Sequence, residues 1–238
     1  MMTFSEIYTK TLQENGLEAY ATESVALQFE TLYTKLVEFN AHTNLTAITD
    51  IEGVILRHFA DSLTAAPYIG EKSLKIMDVG CGGGFPTLPL AIARPDCRFF
   101  ALDSTAKKLN FVAQMANTLH LPIETLPVRA EELAADPIHR QKYDLVVSRA
   151  VARLPMLCEL CLPFVKVGGR FVALKGADGE IELAEAKNAI AKLGGKLIGQ
   201  HAFTLGDAGG RVILEIEKVK DTPTLYPRQF SKIKKNPL

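Results

Sequence analysis

Four residues whose types suit ligand binding recur at alternate positions in one stretch of the chain: Asp78, Gly80, Gly82 and Gly84. Glycine has no Cβ, so a backbone built from it can turn tightly and let a ligand approach the main chain. The stretch follows the apolar run 74–79 and precedes a helix-length run, so a strand, a glycine loop and a helix are predicted. Because a helix N-terminus points backbone donors at such a loop, the pattern indicates a site for a nucleotide-like cofactor.

The class of cofactor depends on what accompanies the glycines. Asp103 ends the next predicted strand, where its carboxylate can accept hydrogen bonds from a ribose diol. A dinucleotide fingerprint, G-x-G-x-x-G, needs glycine at position 85, which is Phe85 here. The pattern instead resembles motif I of the S-adenosylmethionine-dependent methyltransferases with a Rossmann-like fold. Two alternatives remain. One is a nicotinamide-dependent dehydrogenase, which Phe85 disfavours, and the other is a glycine-rich turn that binds no ligand.

The elements that must position these residues alternate from residue 74 onward. Apolar runs predict strands at residues 74–79, 98–103, 123–128, 143–147 and 170–174. Helices are predicted between them, among them residues 154–165. Two further strands, 196–205 and 211–218, are separated by too few residues for a helical crossover, so an antiparallel pair is expected. The fold class is therefore α/β, with a mostly parallel seven-stranded sheet that ends in an antiparallel hairpin.

Residues 1–70 are predicted to form a helical extension that packs on the domain of residues 71–218. An apolar stripe recurs there at alternating steps of four and three residues: Val25, Phe29, Leu32, Leu36 and Phe39. The segment 40–44 is expected to end this helix. Thr49 followed three residues later by Glu52 predicts a capping box at the start of a second helix.

Charge is distributed unevenly along a chain whose net charge is zero. Residues 1–70 carry three basic and nine acidic residues, a net of −6. Residues 218–238 carry six basic residues and one acidic residue, a net of +5. A basic C-terminal tail, residues 219–238, is therefore expected on or near the cleft, as a contact for RNA phosphate or as a solubility feature.

Composition excludes several classes of protein. The longest apolar runs are about six residues, against roughly 18 for a membrane span, and no signal-peptide pattern is evident. A cytoplasmic protein without membrane contact is therefore expected. Cys158 and Cys161 have C-x-x-C spacing but lack the second pair of a zinc site, so buried thiols and no bound metal are predicted.

Several stretches, in order along nearly the whole chain, are similar to the bacterial ribosomal small-subunit methyltransferase G family, also called glucose-inhibited division protein B. They are Asn44-Leu-Thr-Ala, Arg57-His-Phe-Ala-Asp-Ser62, Asp78 through Pro86, Ser148-Arg-Ala150, Ala173-Leu-Lys-Gly176 and Tyr226-Pro-Arg228. The family often has Gly-Pro-Gly or Gly-Ala-Gly within its loop. This chain has three consecutive glycines, 82–84, which should loosen the loop without changing what it binds.

The resemblance implies a class I methyltransferase that moves a methyl group from S-adenosylmethionine to N7 of a guanine in 16S rRNA. The partner would be the rRNA, the small ribosomal subunit or an assembly intermediate, and a monomer is expected. Together with Asp78, Gly82 and Gly84 of the pattern, the implied cofactor contacts are Gly80, Phe85, Asp103, Ser104, Thr105, Ala130, Glu131 and Arg149.

Cations and aromatic residues at predicted strand ends, on the second N-terminal helix and in the tail are candidates for holding the RNA: Arg57, His58, Arg153, Lys175, Tyr226 and Arg228. Arg149, Arg153 and Lys175 are expected at the mouth of the cleft, and Arg149 and Lys175 are the candidates for a catalytic role. Arg57 could instead pair with Asp61 at helical spacing, His58 could be a hydrogen-bonded core residue, and Tyr226 and Arg228 could serve to dock the tail.

The absence of an evident acid–base pair fits this reaction, because guanine N7 carries no proton to remove and orientation supplies much of the rate. A small-molecule or protein methyltransferase remains an alternative, as does a non-catalytic ribosome-assembly binder. The Asn/Asp-Pro-Pro-Tyr pattern of amino-group methylation is absent from the sequence, and no cysteine follows a proline as covalent attack on a pyrimidine would require.

Overall fold

The computed structural model describes residues 2–238. Within them, seven strands form one sheet in the order β3-β2-β1-β4-β5-β7-β6. The strands are β1 Lys75–Val79, β2 Arg98–Leu102, β3 Ile123–Leu126, β4 Tyr143–Arg149, β5 Val165–Gly176, β6 Gly195–Thr204 and β7 Gly210–Lys218. β1 to β5 pair in parallel, whereas β7 pairs antiparallel with both β5 and β6. The predicted fold class is confirmed.

Helices cover both faces of this sheet. They are α1 Phe4–Glu14, α2 Glu23–Thr43, α3 Ile51–Val54, α4 Asp61–Leu63, α5 Thr87–Ala93, α6 Ala106–Thr118, α7 Ala130–Leu133, α8 Leu154–Cys161, α9 Gly179–Lys192 and α10 Phe230–Lys235. A π-helical turn, Ile55–Ala60, joins α3 to α4. No helix among the described residues is long and apolar enough to cross a membrane.

The two faces of the sheet carry separate hydrophobic cores because side chains alternate along each strand. Ile76 of β1 packs in the core that contains Phe29 of α2 and Phe111 of α6. Met77, the next residue, packs in the core that contains Leu157 of α8 and Ile233 of α10. The N-terminal helices therefore complete one face, and the C-terminal helix helps to complete the other.

Two predicted boundaries are corrected, and a third is confirmed. The cap of α3 is Asp50 rather than Thr49, since the Asp50 Oδ1 accepts a 2.7 Å hydrogen bond from the Gly53 amide. α2 ends within the predicted segment 40–44, at Thr43, and is followed by Asn44, whose φ of 51° is left-handed. α8 stops at Cys161, and β5 begins at Val165, which pairs with Tyr143. The predicted helix 154–165 was therefore too long.

Candidate functional site

The end of β1 lies under the glycine loop and is fully buried. The Asp78 Oδ2 accepts hydrogen bonds from the Thr87 amide (3.1 Å) and hydroxyl (2.5 Å) at the start of α5. Its Oδ1 has no hydrogen-bond partner in the described part of the chain. Burial raises the pKa of Asp78 to about 7. The carboxyl therefore ties the strand end to the helix and keeps one oxygen unsatisfied.

The glycine loop has one packed side and one open side. Gly80 has a φ of +75°, and a Cβ there would lie 2.4 Å from the Val151 Cγ2. Gly82 has a φ of +55°, and a Cβ there would meet nothing within 4 Å. Gly80 is thus required both by its backbone angle and by the contact with Val151, whereas Gly82 faces open space that a ligand can use.

Asp103, at the end of β2, links the two loops that border this space. Its Oδ2 accepts a 3.0 Å hydrogen bond from the Gly82 amide, and its Oδ1 accepts a 2.8 Å hydrogen bond from the Thr105 amide. Each carboxylate oxygen has further acceptor capacity. The side chain is thereby fixed at the strand end with acceptor capacity to spare, and its contact with a ribose diol stays a prediction.

A cavity of about 200 Å³ opens between these loops and the loop after β3. It brings together five of the predicted cofactor residues, namely Gly80, Asp103, Ser104, Ala130 and Glu131. Val151, from the loop after β4, and Phe230, the first residue of α10, also line it. The sequence analysis missed both of these residues, although the prediction of a tail near the cleft was a signal toward the second.

Arg149, at the end of β4, belongs to a buried cluster beside the glycine loop. Its Nη1 donates to the Asp61 Oδ2 (2.6 Å) and to the Arg57 carbonyl (2.9 Å). The other oxygen of Asp61 accepts from the Arg211 Nε at 2.6 Å. The anticipated pairing of Arg57 with Asp61 does not form, because Asp61 is engaged by the two other arginines and the Arg57 guanidinium lies 3.9 Å from Asp207.

Phe85 joins this cluster rather than the cavity. Its ring stacks on His58 at 4.7 Å between centroids, and the Arg149 guanidinium lies 5.8 Å from its centroid. The His58 Nε2 lies 2.8 Å from the Thr46 hydroxyl, and its Nδ1 has no partner within residues 2–238. Burial, with the charge of Arg149, lowers the pKa of His58 to about 4. The imidazole is therefore neutral at neutral pH.

Lys175 lies beneath the loop that follows β4, not at the mouth of the cleft as predicted. Its ammonium is buried, 2.7 Å from the Glu182 Oε2 and 2.9 Å from the Ala152 carbonyl. Glu182 also accepts a hydrogen bond from the Leu154 amide. Arg153 is exposed, but its guanidinium forms a bidentate pair with Glu185 at 2.7 and 2.8 Å.

The C-terminal tail is docked by charged groups. The Arg228 guanidinium pairs with Glu159, a fully buried carboxylate, with a shortest distance of 2.6 Å. Arg140 donates to the Tyr226 carbonyl at 2.8 Å and to the Thr222 carbonyl at 2.9 Å. These contacts give Arg228 the docking geometry that the sequence analysis had kept as its alternative role.

The two cysteines with C-x-x-C spacing, Cys158 and Cys161, are not arranged among the described residues to bind a metal ion. Cys158 and Cys161 are buried free thiols, and burial raises the pKa of both. Among residues 2–238, no group of three or more His, Cys, Asp or Glu side chains is arranged to hold a metal ion.

The residues around the cavity and the glycine loop fit an adenine nucleoside with a charged extension. Asp103 and the Ser104 region suit a ribose, the apolar walls of the cavity suit a base, and the open side of Gly82 admits a chain close to the backbone. The unpartnered Asp78 Oδ1 beneath the loop is a further polar atom without a protein partner. Such orphaned polar atoms cluster where a water or ligand completes a site.

Residues 26–207 match the family model GidB, described as rRNA small subunit methyltransferase G. A relative of that name from Lactobacillus delbrueckii subsp. bulgaricus is 41% identical over 238 residues, covering 98% of this chain and 99% of the relative. Another from Lactobacillus johnsonii is 46% identical over 240 residues, covering 98% and 99%. The solved structure of M. jannaschii TYW2 in complex with AdoMet shares the fold, with a TM-score of 0.55 and 15% identity over 67% of this chain and 76% of that one.

Proposed function

The chain belongs to the rRNA small subunit methyltransferase G family, and we propose on that premise that it transfers a methyl group from S-adenosylmethionine to N7 of one guanine in 16S rRNA. The observation that carries the proposal is the cavity at the carboxyl ends of the sheet strands, where Gly80, Asp103 and Glu131 converge. Ligands of open α/β sheets bind at this edge. The substrate is the small-subunit rRNA, free or in an assembly intermediate. The protein acts on it in the cytoplasm as a monomer.

The reaction requires the protein mainly to orient the two reactants. S-adenosylmethionine, when bound, supplies an activated methyl group on a sulfonium. Guanine N7 offers an unprotonated lone pair, so no side chain has to remove a proton. Holding two reactants in line can supply roughly 7–11 kcal/mol. The base must be exposed or flipped for N7 to be reached, as in other enzymes that act on a base.

The cofactor contacts divide by the part of the ligand that each can serve. Asp103 and Ser104 are proposed to hold the ribose, with Thr105 fixing Asp103 through its amide. Ala130 and Glu131 are proposed at the adenine edge. The remaining residues hold the loop or face its open side: Asp78, Gly80, Gly82, Gly84, Phe85 and Arg149.

The charge of Arg149 suits a reaction whose product ring is cationic. A bare cation near N7 would oppose methyl transfer, but Asp61, which is shared with Arg211, lies 2.6 Å from the Arg149 Nη1 and offsets part of its charge. We propose that Arg149 contributes through its position beside Phe85 and the glycine loop. No proton transfer is assigned to it.

The proposed contacts with RNA separate into direct and indirect ones. Arg57 has the most exposed guanidinium of its cluster, with 41% of its side chain accessible, and is proposed to contact phosphate. Arg153 would have to leave Glu185 to do so. Lys175 and Arg228 each pair with a buried carboxylate, so we propose that they position the loop and the tail. Tyr226 lies beside Arg228 and is proposed to act with it. His58 packs on Phe85 beside Arg149 and is proposed to support that cluster.

The test is methyl transfer from labelled S-adenosylmethionine to small-subunit rRNA, free or within subunits from a strain that lacks the enzyme, followed by mapping of the labelled base. One N7-methylated guanine is expected. Asp103→Asn should lower incorporation at low cofactor concentration, whereas Glu30→Gln, an equal loss of charge on an exposed part of α2, should not.

Other outcomes would contradict the proposal and identify the alternatives. Label in protein or in a small molecule would indicate a methyltransferase with a different substrate. Binding of rRNA without label in any assembly state would indicate a non-catalytic assembly factor.

A further inference from the structure

Phe230 is the only aromatic residue among the described residues that line the cavity of the proposed cofactor. It faces a space bordered on its other sides by Asp103, Ala130 and Glu131, the residues proposed to hold an adenosine. An adenine ring is flat and has π faces, and aromatic side chains such as that of phenylalanine pack well on such a face.

The phenyl ring is held by its neighbours. The Arg129 guanidinium lies 5.2 Å from its centroid, and the same guanidinium pairs with Glu131 at 3.5 Å. This row of side chains links α10 to the start of α7, where the adenine edge is expected. The position of the ring is therefore coupled to the residues on the opposite wall of the cavity.

Anchors on both sides of Phe230 fix α10 on the sheet domain. Arg228, two residues before it, pairs with the fully buried Glu159, and Ile233, three residues after it, is itself fully buried in the core. These contacts keep the ring at the cavity although α10 has only six residues. The segment lies outside residues 26–207, the part that matches the family model.

The cavity is small and adjoins a larger groove. A volume of about 200 Å³ is below the roughly 300–1,000 Å³ of typical small-molecule sites. A groove of about 650 Å³ on the other side shares two lining residues with it, Val151 and Phe230. These two side chains therefore lie between the cavity and the groove.

We propose that Phe230 is a cofactor-contacting residue whose ring packs against the adenine of the bound nucleoside, so that the C-terminal tail forms one wall of the cofactor site. The assignment rests on the proposed function for the identity of the ligand. It gives the tail a role in the cofactor site that is separate from any contact of its lysines with RNA.

Equilibrium binding by calorimetry tests this with S-adenosylmethionine, S-adenosylhomocysteine and 5′-methylthioadenosine, three ligands that share the adenosine. Phe230→Ala should raise the Kd of all three by a common factor of about 5 to 20. Phe230→Tyr, which keeps the ring, should stay within about twofold of wild type on the same scale. Lys232→Ala, an exposed change on the same helix, should leave the three Kd values unchanged.

Two results would overturn the assignment. One is wild-type affinity of Phe230→Ala for all three ligands. The other is a loss confined to the ligands with an amino-acid chain, which would place the ring at the other half of the cofactor. Failure of the wild-type protein to bind S-adenosylmethionine is a different result and would remove the proposed function itself. Circular dichroism of Phe230→Ala, expected to match wild type, separates a local loss from unfolding.

Discussion

A single carboxylate, that of Asp61, connects the N-terminal helices to two strands of the sheet. One of its oxygens accepts from Arg149 at the end of β4, and the other accepts from Arg211 in β7. Only Arg149 also contacts the glycine loop, through the ring of Phe85. Asp61 therefore orients one arginine toward the proposed site and a second one away from it.

Asp61→Asn should weaken both pairs and leave Arg149 with the Arg57 carbonyl as its remaining partner. We expect a loss of about 1–3 kcal/mol in the free energy of unfolding and about a tenfold rise in the Kd for S-adenosylmethionine. Urea unfolding and calorimetry measure the two quantities. Arg211→Gln is the matched control, with a similar loss of stability and an unchanged Kd. An equal rise in Kd for both variants would show that Asp61 acts only on the fold.

The buried carboxyl of Asp78 makes stability depend on pH. Its pKa is raised from 3.8 to about 7 in the folded protein, so the folded state holds a proton that the unfolded state has released. The contribution of this group to stability therefore falls as pH rises from about 4 to about 7. Asp78→Asn should gain stability relative to wild type over that interval and show no further relative change above it.

Urea unfolding of the two proteins between pH 4 and 8 measures this difference, in which the contributions of all other groups cancel. The cancellation matters because His58, whose pKa is lowered from 6.5 to about 4, contributes a trend of the opposite sign over nearly the same interval. A difference between the two proteins that is constant with pH, or that moves in favour of aspartate as pH rises from about 4 to about 7, would contradict the assignment.

Local patterns predicted the residues of the glycine loop, because strand, turn and helix are continuous in sequence there. Asp78, Gly80 and Asp103 were placed correctly at the strand ends for this reason. The partners of Arg149 and Arg228 were not foreseen, since they lie 88 and 69 residues away along the chain. Such pairs depend on how distant segments pack, and charge spacing alone pointed to the local Arg57–Asp61 pair instead.

At the scale of elements, periodicity located the strands well and failed where pairing overrides a local signal. β5 was expected to start after the glycines at positions 168 and 169, but Val165 already pairs with Tyr143. α3 was expected to be capped by Thr49, but Asp50 provides the acceptor. Both errors concern boundaries, at which one neighbouring strand or one side-chain oxygen decides the outcome.

The docking of α10 can be tested through its buried anchor. Arg228→Met leaves the Glu159 carboxylate, which is 0% exposed, without its cation, and we expect a loss of about 3–5 kcal/mol. Cleavage by trypsin within the tail should accelerate at lysines 232, 234 and 235. Arg228→Met combined with Glu159→Gln should recover most of the stability, because no unpaired charge is then buried. A single variant as stable and as resistant as wild type would show that the anchor is dispensable.

For the whole molecule, we propose that the helical extension 1–70, the sheet domain 71–218 and the tail 219–238 have distinct tasks. The extension supplies Asp61 and one hydrophobic core. The sheet domain supplies the strand ends. The tail supplies a wall of the cavity together with four lysines and one arginine, so it is the segment in which cofactor and RNA contacts would meet.

That charge predicts the salt dependence of RNA binding. Lys232, Lys234 and Lys235 are exposed, and their joint replacement by glutamine should reduce the slope of log Kd against log salt by about 2 for a single-stranded target. Filter binding of a small-subunit rRNA fragment in increasing KCl measures the slope. Replacing Lys187, Lys192 and Lys196, on α9 and the edge strand β6, is the matched control, and an equal effect there would indicate nonspecific attraction.

The position of Phe230 after every strand in the chain has a consequence for biosynthesis. Polypeptides emerge from the ribosome in sequence order, and their domains can begin to fold before translation finishes. All seven strands precede Phe230, so a nascent chain can assemble its sheet while the last wall of the donor pocket has yet to be translated. Tight binding of the methyl donor would then begin only after Phe230 itself has been translated and α10 has docked.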